Sequence, residues 1–150
     1  MGLRLLTESE YRNSIRDIFG ADILVQGRFD PGRRAGGLLA ASSTVLSVTP
    51  AGLESFSKMA DSIASQVVDQ THRERLVGCV PQNAKAADDA CAGTFLDRYG
   101  RLLFRRSLTG DELKSRVKLA GELAKSNQDF YAGLSDSLAT LLYSPDFLFR

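Results

Sequence analysis

The chain has 150 residues, 43% hydrophobic and 25% charged, and its 19 Lys and Arg against 18 Asp and Glu leave a net charge of +1. That length suits one domain burying about 68–70% of its unfolded surface, and the composition excludes a disordered chain. The balanced charge argues against a strongly cationic nucleic-acid binder, one His and two Cys are too few for a four-ligand zinc site of those residues alone, and no apolar run is long enough for a membrane span.

Taken in chain order, the pattern is helical. Thr7-Glu8-Ser9-Glu10 reads as a capping box, the Thr7 hydroxyl accepting from the N3 amide and Glu10 reaching back. Tyr11, Ile15, Ile18 and Phe19 follow as one apolar stripe, and Gly20 is placed to end the helix in the left-handed conformation. A Gly- and Arg-rich loop covers 26–37. Thr49 and Pro50 open a second helix as N-cap and N1, with Leu53, Phe56, Ala60, Ile63 and Val67 inward. Residues 71–88, polar and interrupted by Gly78 and Pro81, read as a connection.

Cys91, Phe95, Tyr99 and Leu102 form the stripe of a third helix. Thr109 to Glu112 repeats the capping box and starts a fourth, with Leu113, Val117, Ala120 and Ala124 inward. Asp129 caps a fifth, carrying Phe130, Leu134, Leu138, Leu141 and Leu142 until Ser144-Pro145 stops it. Short extended pieces fit only at 22–24 and 38–48. The expected fold is all-α: about five amphipathic helices in an irregular bundle, one domain over 1–150. Its core is expected from Tyr11, Ile15, Ile18, Phe56, Ile63, Phe95, Leu113, Leu134, Leu138 and Leu141.

Met1-Gly2 is not a myristoylation signal, because Leu6 stands where Ser or Thr is needed. No secretory signal is visible, and the chain stops inside the apolar run Phe147-Leu148-Phe149-Arg150. It therefore reads as a segment of a larger parent.

Few residues carry chemistry. Cys79 and Cys91 are either bridged, which would stabilise the fold by about 3 kcal/mol through loop closure, or two free thiols; the residues alone leave both open. His72 reads as an exposed loop histidine, although a Cys79–His72 nucleophile pair is conceivable. Gly32-Arg33-Arg34-Ala35-Gly36-Gly37 resembles an anion cradle but lacks the Lys-Ser/Thr of a phosphate-binding loop, so a surface loop is preferred. Arg98, Arg101 and Arg105 would share one helix face, a phosphate-binding stripe. With Arg outnumbering Lys fourteen to five, salt bridges of this cluster and Arg106 to Asp97, Asp111 and Glu112 are the preferred reading. Carboxylates at Glu8, Glu10, Asp88 and Asp89 suit helix N-termini.

Three blocks carry a resemblance. Leu5 to Gly20, Cys91 to Thr109, and Phe130 to Arg150 with its Ser144-Pro145-Asp146-Phe147-Leu148-Phe149-Arg150 close occur in the order seen in a bacterial family. These are large cytochrome-associated proteins of unknown function, abundant in planctomycetes and found also in myxobacteria and some proteobacteria. The chain departs from the family pattern at Leu38-Leu39-Ala40, where a Phe-Asp-Asn-like stretch is usual, and at Ser107, where Pro is usual. The resemblance implies export to the periplasm or cell exterior, and with it a Cys79–Cys91 disulfide. It implies a c-type haem elsewhere in the parent, since no Cys-x-x-Cys-His occurs here.

The expected function is a helical structural or interaction module with no active site and no cofactor of its own. Its partners would be other segments or subunits of a cytochrome-associated assembly, not nucleic acid. Arg33, Arg34, Arg98, Arg101 and Arg105 are the candidates for anion or partner contact. The rival is part of a redox or polysaccharide-degrading enzyme whose active site lies in segments beyond this chain.

Overall fold

A computed structural model of the chain describes residues 4–27, 29 and 50–150. The Thr49 cap, the 38–48 extended candidate, and Arg33 and Arg34 with their glycines lie outside the described residues. Seven helices are present among those described: α1 (Glu8–Phe19), α2 (Pro50–Val67), α3 (Arg73–Leu76), α4 (Asp89–Phe104), α5 (Gly110–Asn127), α6 (Phe130–Leu142) and α7 (Pro145–Leu148). The five long ones are those the spacing predicts. The two single-turn helices are additions. α3 falls in the expected connection, tied down by its buried Leu76, and α7 begins at the proline that ends α6, where a missing amide costs nothing at N1.

The only strand-like pairing among the described residues is one antiparallel bridge, Leu5 with Phe149. It joins the two ends: Arg4 and Arg150 exchange amide-to-carbonyl hydrogen bonds of 2.7 Å in both directions, and the Leu6 amide donates to the Leu148 carbonyl at 2.8 Å. The extended candidate at 22–24 is not a strand. Its backbone is held by the Gln66 side-chain amide, which accepts from the Leu24 N–H and donates to the Leu24 carbonyl, both at 2.8 Å.

α6 is the central helix, packed by α2, α4, α5 and α7. It buries Phe130, Leu134, Leu138, Leu141 and Leu142 on more than one face, as a surrounded helix must. Its approach to α5 is closest at Gly133, where a side-chain carbon would run into the backbone of Ala120 and Ala124. There glycine lets two helix backbones touch. α1 lays Tyr11, Ile15 and Phe19 onto the other helices, and the buried residues form a hydrophobic cluster that draws on all seven helices but α5's larger side chains.

Some expected core positions shift. Ile18 and Leu113 are only partly buried against the cluster. Leu53 and Leu102 are exposed, at 47% and 46%; on α4 the inward path runs through Leu103 and Phe104 instead, because a 3.6-residue turn carries the stripe past 102. Gly20 has the positive φ expected, 105°, but its ψ of 158° is not left-handed helical. Arg75, distant in the chain, donates to the Phe19 carbonyl at 2.9 Å, satisfying one of the helix-end acceptors.

Candidate functional site

Cys79 and Cys91 form a disulfide, with their Cα atoms 5.7 Å apart. Cys91 sits in the first turn of α4, where the Asp88 carboxylate caps its amide at 3.1 Å. The same carboxylate accepts from the Gln82 amide at 3.0 Å, and these bonds lower its pKa, the Cys91 amide contributing most. The Ala84 carbonyl takes the Phe130 amide at 2.8 Å. The polar loop between the cysteines is thus held by the bridge and by two helix N-termini. A Cys79–His72 nucleophile pair is excluded, because the sulfur is spent in the bridge.

His72 is not an exposed loop residue: its side chain is 14% accessible. Nδ1 lies 3.0 Å from the Gln66 carbonyl and 2.8 Å from an Asp69 carboxylate oxygen, and Nε2 lies 3.3 Å from Asp22. Both neighbours of Nδ1 are acceptors, which places a proton on that nitrogen. Arg75 completes the group, binding both Asp22 oxygens at 2.7 and 2.8 Å. These residues fasten the turn after α1 to the junction of α2 and α3. The Asp69 spacing was a readable hint of a local partner. Asp22 was not readable, since fifty residues separate it from His72.

The arginines near the end of α4 divide. Arg98, an exposed residue, folds its guanidinium back onto the neighbouring chain, donating to the Leu76 carbonyl at 2.7 Å and to the Tyr99 hydroxyl at 2.9 Å. Its guanidinium lies over the Tyr99 ring, 4.7 Å from the centroid. Arg101 pairs with Asp97 at 3.3 Å on an exposed face. Arg105 departs from the shared stripe: α4 ends at Phe104, and Arg105 adopts the left-handed conformation, φ 58° and ψ 30°. Burial, with the like charge of Arg150, lowers its pKa. Arg106 binds Glu112 through two nitrogens, at 2.8 and 3.0 Å, and reaches Asp146 at 3.5 Å. The expected bridges to Asp97 and Glu112 therefore form, whereas Asp111 makes none among the described residues.

A feature the residue-by-residue reading missed is the arginine three positions before each capping threonine. Arg4 grips Glu10 through two bonds of 2.8 Å just as Arg106 grips Glu112. The repeated Arg-x-x-Thr-x-x-Glu spacing was the available signal.

Among the described residues no group of three or more His, Cys, Asp or Glu could hold a metal ion, and no helix is long and apolar enough to cross a membrane. The side chains present do not fit a covalently attached haem. Both cysteines are tied to each other, and His72 gives both ring nitrogens to Gln66, Asp69 and Asp22.

Two family models match successive parts of the chain. Residues 4–69 match PSD3, described as a protein of unknown function (DUF1587), and residues 91–150 match PSD5, also a protein of unknown function (DUF1595). No curated protein and no solved structure matches the chain.

Proposed function

We propose that this chain is a structural or interaction module of an exported, cytochrome-associated protein, working in the periplasm or outside the cell and carrying no active site of its own. The observation that carries the reading is the Cys79–Cys91 disulfide, a bond that persists in oxidising compartments and is rare where thiols are kept reduced. The use of the other reactive side chains supports it: His72, Arg98 and Arg106 are engaged in holding helices together. The order of the sequence blocks supports the cytochrome-associated context. On this reading the partners are other segments or subunits of the same assembly, and a haem would be carried outside these residues.

Intact-mass measurement on unreduced protein, with and without thiol alkylation, tests the compartment. The expected result is no alkylation until a reductant is added. Two alkylated thiols in protein isolated from an oxidising compartment would remove the case for export.

A further inference from the structure

The boundary between the two matched families falls inside a shared core. Residues 4–69 contain just α1 and α2 among the described elements, and these two helices do not pack along each other. α1 packs on α4, and α2 packs on α6. Between themselves they meet through aromatic rings, Tyr11 with Phe56 at 5.7 Å between centroids. The second segment is different. Its helices α4, α5 and α6 pack on one another in every pairing.

The contacts of α1 run the same way. Tyr11 meets Phe147 at 5.7 Å, and Phe19 meets Tyr99 at 5.0 Å. The residues before α1 are hydrogen-bonded to the residues after α7 through the Leu5–Phe149 bridge. Within the first segment the described residues share a small Tyr11–Phe29–Phe56 ring cluster and the Gln66–Leu24 hydrogen bonds, and short helices in water are marginal without more extensive tertiary packing.

We infer that the segment 91–150 is the binding partner of the segment 4–69, a scaffold on which α1 and α2 dock and fold, so that the first family's segment takes its structure from the second's. The inference stands apart from the module reading, since it concerns how the two segments recognise each other and not where the protein works. The surface is apolar at its centre, with Tyr99, Phe147 and the α6 face, and edged by backbone hydrogen bonds. A chain carrying the first segment must then find the second, in itself or in another chain.

Hydrogen exchange on the whole chain tests this. Leu134→Val weakens the scaffold at a fully buried position of α6. The slowest amides of α1 and α2 should then accelerate by the same factor as those of α6, roughly two- to tenfold. Phe147→Leu, a milder change at the docking surface, should accelerate α1 likewise. Amides of α1 and α2 that keep their rates while α6 accelerates would show a first segment stable by itself and overturn the inference. A chain cut between the exposed Gln70 and Thr71 gives a second reading. The two pieces should co-elute under reducing and non-reducing conditions alike, because the disulfide lies wholly within the second; separate elution would equally overturn it.

Discussion

α1 and α5 begin with the same device and end in different places. Each opens with a threonine that accepts from the N3 amide, a glutamate that reaches back to the cap, and an arginine that grips the glutamate. Beyond that first turn they diverge. α1 buries Tyr11, Ile15 and Phe19, whereas α5 fully buries just Ala120 and Ala124 and keeps Leu113 and Val117 half-covered. α1 gains from apolar area and α5 from close approach, since its small residues let Gly133 bring α6 against its backbone. A start signal is local chemistry. What a helix contributes afterwards depends on what stands opposite.

The comparison can be broken most readily at the core. Ile15→Ala should cost about 2–5 kcal/mol, and Leu138→Ala on α6 a similar amount, as fully buried positions do. Leu113→Ala on the half-buried face of α5 should cost about 1 kcal/mol. Urea midpoints for the three variants check the ranking, and an Ile15→Ala loss no larger than that of Leu113→Ala would erase the distinction.

Next in size is the α5–α6 contact. Gly133→Ala should destabilise by about 1–3 kcal/mol despite alanine's better helix propensity, because the new methyl meets backbone that cannot swing aside. Gly110→Ala is the control, with nothing within 4 Å of its added carbon. Thermal melts of the pair should move in clearly different degrees.

The shared device should give equal, smaller effects. Thr7→Ala and Thr109→Ala should each cost about 1 kcal/mol. A pronounced inequality in denaturant titrations would mean that the caps are not equivalent.

The least effect lies in the pH dependence. The hydrogen bonds from Arg4 and Arg106 hold Glu10 and Glu112 at about 2, below the ordinary 4.5, outweighing the opposing effect of burial. A depressed folded-state pKa means stability that is complete above 4.5 and is lost as pH falls through the window toward about 2. Acid titration of the double variant Glu10→Gln, Glu112→Gln should show a shallower loss across that window. Both pairs are partly exposed, so added salt should weaken the contribution in the native chain.

The sequence by itself determined the long helices, their caps at Thr7, Thr109 and Asp129, and most of the buried stripe, because capping and 3.6-residue spacing act within a few residues of each other. It held the disulfide as one of two alternatives. Only the tertiary structure decided that Cys79 meets Cys91, that His72 leaves solvent for Asp22, and that Arg98 binds the Leu76 carbonyl. It also decided the geometry at Gly20 and the docking of α1 and α2 on the later helices. These depend on which groups distant in the chain compete for the same carbonyl or the same apolar surface, and spacing along one helix carries no record of that competition.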